Sequence, residues 1–284
     1  MFGFRPDGKK IKNVSAIQKI IPHIMKARHD SQNLYRYPVR CEPLDAFMKE
    51  ELEKGESFNY MHIVIASLVR LLALRPQLNR FVMNGRIYKR HHIYVSFVVK
   101  KSLRDNAEET TVKLKFDGTE NIYEVRDKVN EAIGKNNHLK AKNDTDKLAK
   151  VLTVIPNGLI KFAVGTLKWL DKHGMLPGKL LDVIPFHTSV FVTNLKSIKI
   201  DYIYHHLYDF GTTSLFVSMG KEQLVPVVDN KELAVGKVMQ LGVVTDERFC
   251  DGFYYANSLR MWKKVMERPS VLKEKLEHKV EDVD

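Results

Sequence analysis

The amino-acid sequence predicts an α+β fold, in which helices pack on a mixed, largely antiparallel sheet. Helix-like and strand-like stretches follow one another without the strict alternation that builds a parallel sheet. The pair Asn84-Gly85 lies between strand-like residues, which is typical of a two-residue hairpin. Four strand-like stretches then follow in succession within residues 189–245.

The first predicted helix spans residues 13–34, where isoleucines recur at three-to-four spacing. Pro22 lies inside this segment and predicts a kink or two short helices, because proline removes a backbone donor. A second helix, residues 60–74, is apolar over most of its circumference, which predicts that it is buried. Ser57 is its expected N-cap.

The other predicted elements follow from the same periodicities and from turn residues. Residues 135–147 are charged and rich in asparagine, so we expect a surface loop there. The charged tail, residues 273–284, is expected to fray. The remaining assignments are strands at 36–42, 80–83, 86–89, 93–99, 111–116, 189–194, 213–218, 224–228 and 235–245, helices at 44–54, 119–133, 148–155, 159–170 and 252–266, a polar loop at 102–109, irregular chain at 175–184 and a hairpin turn at 228–231.

Charge and composition limit the class of protein. The formal net charge is +12, but the basic residues form separate clusters, which is typical of solvated faces. An anionic ligand such as the phosphates of a coenzyme remains open, and no nucleic-acid partner is expected. No apolar run approaches the roughly 20 residues of a membrane span, and the N-terminus lacks the apolar core of a signal peptide. We therefore expect a cytoplasmic protein with no membrane association.

Common catalytic and metal signatures are absent from the sequence. It contains no GxGxxG, P-loop, HExxH or GxSxG motif. The two cysteines, Cys41 and Cys250, lack CxxC spacing and are expected to be reduced and buried. Adjacent histidines on a strand point to opposite faces, so neither of the two His-His pairs forms a bidentate metal site alone. We expect no metal.

The feature that points most directly to chemistry is an acidic corner near the C-terminus. An apolar run ends in Asp246-Glu247-Arg248, and Asp251-Gly252 then turns the chain into the last predicted helix. Three carboxylates at the end of a core strand are costly unless they are paired or functional. The corner is therefore either an internal ion-pair cluster or a set of reactive groups.

This corner resembles a known signature. Glu247-Arg-Phe-Cys-Asp-Gly-Phe is similar to the His-x-x-x-Asp-Gly motif of the chloramphenicol acetyltransferase superfamily. That superfamily includes the catalytic domain of dihydrolipoamide acyltransferases from 2-oxo acid dehydrogenase complexes. Residues 189–195, Ser-Val-Phe-Val-Thr-Asn-Leu, resemble the Thr-Phe-Thr-Ile-Ser-Asn-Leu stretch of those acyltransferases. Upstream, residues 20–32 and 68–88 resemble their first helix and a later helix with its turn.

The resemblance covers roughly residues 15–270 and implies a fold and a domain organisation. The implied fold is the two-layer chloramphenicol acetyltransferase-like architecture, which is an α+β fold. A single catalytic domain over residues 1–270 and a charged tail over residues 271–284 follow from it.

The resemblance also implies catalytic roles. In that family a histidine is the general base that takes a proton from a coenzyme A, dihydrolipoyl or hydroxyl nucleophile, which attacks a thioester. By position the base is Glu247. Thr193, followed by Asn194, matches the hydroxyl that donates a hydrogen bond to the oxyanion of the tetrahedral intermediate.

Three further residues are implied to support the site. Asp251 matches the structural acid of the motif, and Arg28 is its implied partner. Gly252 is implied to let the chain turn into the last helix. If the corner is only structural, its carboxylates form an internal ion-pair cluster with Arg248 and Arg28.

A glutamate in place of the histidine leaves several interpretations open. Glutamate is ordinarily the weaker base by about two pKa units. Glu247 is the base, or His206 or His187 replaces it, including across a subunit boundary. Alternatively, the chain has kept the fold without the activity and serves as an oligomeric assembly or regulatory partner. A different chemistry is the remaining alternative.

The resemblance implies partners as well. Known relatives are trimers with active sites between subunits, so we expect a homotrimer or a multiple of three. Coenzyme A, as an acyl-coenzyme A substrate, is the implied cofactor, with a small-molecule acyl donor and acceptor. We expect no lipoyl group on this chain, so a lipoyl substrate has to come from another chain. The leading hypothesis is a coenzyme A-dependent acyltransferase.

Overall fold

The structure is a computed structural model that describes residues 5–100, 109–136 and 156–284 of the 284-residue chain. The helix predicted at 148–155 and most of the loops predicted at 102–109 and 135–147 lie outside these residues. Within them the strands are β1 Gly8–Lys10, β2 Gln32–Arg40, β3 Arg80–Met83, β4 Arg86–Arg90, β5 Ile93–Lys100, β6 Glu109–Phe116, β7 Val190–Asn194, β8 Leu215–Met219, β9 Gln223–Asp229 and β10 Glu232–Asp246. The α-helices are α1 Ala16–Ile24, α2 Glu42–Glu53, α3 Tyr60–Leu74, α4 Ile122–Asn136, α5 Asn157–Lys172, α6 Gly178–Val183 and α7 Gly252–Glu267.

A seven-stranded sheet organises the fold. Its order is β2–β10–β8–β7–β5–β6, and β9 pairs with β10 outside this path. The β5–β7 and β7–β8 ladders are parallel, whereas the other ladders of this sheet are antiparallel. The predicted α+β class, with a mixed and largely antiparallel sheet, is confirmed.

A smaller sheet of order β1–β4–β3 holds the predicted hairpin. Asn84 and Gly85 have φ angles of 51° and 68°, as a two-residue turn between right-twisted strands requires. The second predicted hairpin turn is also present, between β9 and β10, where Asn230 and Lys231 have positive φ.

Helix α3 is the centre of the core. Every residue from Tyr60 to Ala73 is buried, as the apolar circumference predicts. The helix packs against α4, α7 and β5. Its N-cap is Asn59 rather than the predicted Ser57, because the Asn59 side chain accepts a hydrogen bond from the His62 N–H at 3.0 Å.

Several predicted boundaries are wrong, for physical reasons. The first helix ends at Ile24 rather than at residue 34, because residues 32–34 pair with the end of β10. Sheet pairing outweighs local helical periodicity there. Helix α4 continues past its predicted end to Asn136, and α6 occupies part of the segment predicted to be irregular.

The prediction of a frayed tail is also wrong. The Val280 N–H donates to the Ala73 carbonyl oxygen at 3.0 Å. The guanidinium of buried Arg80 binds both carboxylate oxygens of Asp282 at 2.7 and 2.6 Å. A buried arginine requires a partner, and the tail supplies it. No helix of the described residues is long and apolar enough to cross a membrane.

Candidate functional site

The acidic corner is a strand–turn–helix junction. Strand β10 ends at Asp246, which pairs with Gln32 of β2. A 3-10 turn, Glu247–Phe249, follows, and α7 starts at Gly252. Asp251 is the N-cap of α7, and its Oδ1 accepts the Tyr254 N–H at 2.9 Å. Every carboxylate of the corner therefore lies within a few residues of an element end.

Asp246 and Arg248 form a buried bidentate ion pair. Arg248 donates from Nε to Oδ1 at 2.8 Å and from Nη2 to Oδ2 at 2.7 Å. The Asp246 side chain is 0% exposed and that of Arg248 is 3% exposed. Ser31 Oγ also donates to Asp246, and Arg248 Nη1 donates to the Met25 carbonyl, so the pair joins β10 to the end of α1. The ion-pair interpretation of the corner is confirmed for these two residues.

Arg28 lies beside this pair and does not contact Asp251. Its guanidinium donates to the Val82 and Asp209 carbonyl oxygens at 3.0 and 3.2 Å. Burial lowers the pKa of Arg28 to about 10, and the nearby Asp246 opposes that effect. The predicted Arg28–Asp251 pair is therefore wrong.

The Arg28–Asp251 pair is absent because Asp251 caps the last helix and a different carboxylate, Asp246, lies beside the buried arginines. The start of α7 presents unpaired N–H groups, which the exposed Asp251 satisfies. The buried arginines instead lie close to Asp246 at the end of the strand. The turn at Gly252 does not require glycine, since its φ is not in the left-handed region and a Cβ there would meet no heavy atom within 4 Å.

Glu247 is exposed and lines a cavity of about 300 Å³. Its N–H donates to the Ser31 carbonyl oxygen at 2.9 Å, which fixes the backbone and leaves the side chain at the cavity. Ile17, Ile21 and Met25 supply the apolar side of this cavity. A carboxylate at the edge of a partly apolar cavity is chemically able to accept a proton from a group bound there.

The two cysteines are free and buried, as predicted. Burial raises the pKa of Cys250, which also lines the Glu247 cavity, to about 12, and that of Cys41 to about 11. Both are therefore thiols rather than thiolates at neutral pH, and neither is an activated nucleophile.

Thr193 lies near the end of β7, half-buried, and is not close to Glu247 in the same chain. It pairs with Ser218 of β8, which pairs with Gly242 of β10, four residues before Asp246. At ordinary strand spacings, Thr193 and Asp246 are about 13 Å apart along the strands and about 10 Å across them. One thioester carbonyl cannot contact both Thr193 and the residue after Asp246 within one chain.

The neighbouring Asn194 has an unsatisfied side chain. Its Oδ1 is buried and has no hydrogen-bond partner among the described residues. Buried carbonyl oxygens ordinarily have a partner, so this oxygen can accept a hydrogen bond from a group outside the described residues.

The two alternative bases occupy different environments. His187 is 1% exposed, its Nε2 lies 2.9 Å from Asp171 Oδ2, and burial lowers its pKa. At 1% exposure, this imidazole is out of reach of a substrate in the structure. His206 is exposed and its ring lies beside His205 and Tyr208, where a substrate can reach it.

The sequence did not reveal the buried network to which His187 belongs. Arg5 donates to Asp171 Oδ1 at 2.7 Å and to Asp7 at 2.9 Å. Asp171 is the only buried residue that α5 has. The sequence offered one signal of this network: Asp171 lies in the last turn of a helix, where the helix dipole disfavours an acid, so the residue needs a partner elsewhere.

Comparison with known proteins identifies a matching family segment and structures of similar fold. Residues 191–273 match the family model of the 2-oxoacid dehydrogenases acyltransferase (catalytic domain). A probable dihydrolipoamide acetyltransferase from Listeria monocytogenes is 14% identical, with a TM-score of 0.58 over 92% of this chain and 95% of that chain. A chloramphenicol acetyltransferase is 11% identical, with a TM-score of 0.55 over 91% of this chain and 99% of that chain.

The chain has a chloramphenicol acetyltransferase-like fold. The dihydrolipoamide acetyltransferase of Azotobacter vinelandii resembles it as well, at 11% identity and a TM-score of 0.60, over 93% of this chain and 94% of that chain. No protein of curated function matches this chain. The segment that matches the family model contains Thr193 and the whole acidic corner from Asp246 to Gly252.

Proposed function

We propose that this chain is an acyltransferase of the 2-oxoacid dehydrogenase type. It moves an acyl group between coenzyme A, or a lipoyl thiol on another chain, and a small acceptor. The observation that carries the proposal is the family match over residues 191–273, which includes both Thr193 and Glu247, in a chain with the fold of such acyltransferases.

The active site is assembled from two subunits. Thr193 and Glu247 are too far apart to act on one carbonyl group within a chain. A homotrimer, or a multiple of three, brings Thr193 of one subunit to Glu247 of the next. The unsatisfied Oδ1 of Asn194, beside Thr193, is then buried against a neighbouring subunit that supplies its donor.

Exposed apolar residues on the hairpin formed by β9 and the first half of β10 support this assembly. Leu233 and Val228 are directly opposite each other and are 81% and 74% exposed. Leu224 and Val235 extend the same face and are 75% and 74% exposed. Contiguous apolar surface of this kind is typical of a subunit interface.

The reaction needs a base and an oxyanion donor. The Glu247 carboxylate takes the proton of the incoming thiol or hydroxyl group, whose sulfur or oxygen then bonds to the thioester carbonyl carbon. The Thr193 hydroxyl group donates a hydrogen bond to the oxyanion that forms. When the intermediate collapses, the bond from carbon to the leaving sulfur breaks and protonated Glu247 returns its proton to that thiolate.

The test follows thioester consumption with free-thiol detection. Replacing Glu247 by Gln should lower kcat/KM by about 10²- to 10⁴-fold, the usual contribution of a general base. Glu267→Gln, at an exposed glutamate at the end of α7, is the matched control and should leave turnover unchanged. Full activity in Glu247→Gln, with the oligomer intact, would refute the assigned base.

A second candidate function is that of a non-catalytic assembly or regulatory partner. The glutamate at the position of the family's histidine favours it, as does the absence of the Arg28–Asp251 pair. It predicts an intact oligomer without turnover for any acyl-coenzyme A tested. Turnover gained by Glu247→His would show that the site lacks only a stronger base.

A further inference from the structure

A second cavity shares the Arg248 side chain with the Glu247 cavity. It has a volume of about 520 Å³ and is enclosed by α1, the β3–β4 hairpin, the end of α5 and residues 209–211. Its walls carry more positive than negative charge, with five cationic side chains against two carboxylates. The five cations are Lys26, Arg28, Lys168, Lys172 and Arg248.

The two carboxylates, Asp171 and Asp209, are engaged by groups other than the lining lysines. Asp171 accepts a hydrogen bond from Arg5 at 2.7 Å and lies 2.9 Å from the His187 ring nitrogen. Asp209 accepts from the Arg28 backbone N–H at 2.9 Å and lies 2.7 Å from His29 Nδ1. Arg248 is itself paired with buried Asp246, so the excess positive charge of the cavity lies on the three lysines and Arg28.

The lysines at the cavity have no ion-pair partner among the residues that the structure describes. Within the described residues, Lys26, Lys168 and Lys172 form no ion pair at salt-bridge distance. Lys168 and Lys172 are four residues apart on α5 and so project from the same face of the helix. Two like charges on one helix face are unfavourable unless an anion binds between them.

The arginines add buried donors at the back of the cavity. Arg28 and Arg248 are each 4% exposed. Arg28 Nε has no hydrogen-bond partner among the described residues. Burial lowers the pKa of Arg28 to about 10, because loss of water around the guanidinium disfavours its charged form. An anion bound nearby would stabilise that charge.

We propose that this cavity is a binding site for a multiply charged phosphate group, held by Lys168 and Lys172 at the entrance and by Arg28 and Arg248 behind them. Phosphate oxygens suit both lysine point charges and arginine donors. The volume exceeds that of inorganic phosphate, so the natural ligand carries further atoms. The proposal does not depend on acyl transfer, since it rests on the charges of this cavity alone.

The experiment is a calorimetric titration of pyrophosphate into the 284-residue chain at low ionic strength. We expect saturable binding at one site per chain. Lys168→Ala/Lys172→Ala should weaken the affinity about tenfold or more, because two charges within a few ångströms of the anion are removed. Lys263→Ala/Lys264→Ala, on exposed residues of α7, removes the same charge elsewhere and should change the affinity less than about twofold.

Two sources offer the same phosphate chemistry, and competition separates them. Displacement of pyrophosphate by coenzyme A identifies a phosphate group of the coenzyme as the occupant. Weaker displacement by dephospho-coenzyme A, which lacks only the 3′-phosphate, assigns the site to that phosphate, and equal displacement assigns it to the pyrophosphate bridge. Pyrophosphate binding that coenzyme A does not affect identifies a separate phosphorylated small molecule. Absence of saturable binding, or equal weakening in both double-lysine variants, would overturn the proposal, since only net charge would then matter. Melting curves of both variants verify that each is folded.

Discussion

Replacing Asp246 by Asn tests which carboxylate of the acidic corner supports the fold. Asp246 is fully buried and accepts hydrogen bonds from Arg248 Nε, Nη2 and N–H, and from Ser31 Oγ. Asparagine has nearly the same shape but no charge. The variant therefore leaves Arg248 as a buried cation without its ion-pair partner and removes one of the negative charges that act on the adjacent Arg28.

The expected loss is large. Removing one partner of a buried ion pair ordinarily costs about 3–5 kcal/mol. In a domain of this size, each kcal/mol corresponds to roughly 2–4 °C, so Tm should fall by about 10 °C. Asp251→Asn is the matched control. It keeps the N-cap, because asparagine caps helices as well as aspartate does, and should change stability by less than about 0.5 kcal/mol.

Urea unfolding followed by circular dichroism measures both variants under the same conditions. The m-value should stay constant while the midpoint falls for Asp246→Asn. Equal destabilisation by the two variants, or a larger effect of Asp251→Asn, would refute the conclusion that the structural acid lies at the end of the strand rather than in the motif aspartate.

Three further predictions concern stability. Asn59→Ala should lower the free energy of unfolding by about 1 kcal/mol, because it removes the side chain that caps α3. Ser57→Ala should be nearly neutral in the same urea assay. A larger effect of Ser57→Ala would contradict the observed cap. Gly85→Ala should cost about 1–2 kcal/mol because φ is +68°, whereas Gly134→Ala, at an open position in the last turn of α4, should be neutral or stabilising. Burial lowers the pKa of His62, whose Nδ1 accepts the Asn59 N–H. The unfolded chain therefore binds a proton at this residue more readily than the folded chain. The free energy of unfolding should accordingly decrease as the pH falls from about 6.5 through the lower folded-state pKa. His62→Gln should reduce this loss between pH 7 and pH 5, and an unchanged pH dependence would exclude His62 as its source.

Much of the fold could be predicted because local patterns and tertiary structure agree. The hairpin at Asn84-Gly85 and the apolar helix Tyr60–Leu74 are defined by turn chemistry and by burial on all sides. The first helix was overextended because its last residues pair with a strand more than 200 positions away in the sequence. Such pairing leaves no local signal.

The candidate site was only partly accessible to sequence reasoning. The motif placed Glu247 and Asp251 correctly at a strand–helix junction. It could not show which carboxylate is buried, since spacing alone does not distinguish an N-cap from an ion-pair partner. The network of Arg5, Asp171 and His187 also escaped prediction, because it joins residues more than 160 positions apart.

The measurement that tests the central claim most directly is a subunit-complementation assay. Thr193→Val and Glu247→Gln chains are purified separately, shown to be inactive, then unfolded together and refolded as a mixture. If each site takes Thr193 from one subunit and Glu247 from the next, random mixing in a closed trimer restores about a quarter of the parent activity, because one site in four receives both native residues. A mixture no more active than either variant alone, from chains that do form mixed oligomers, would contradict the account.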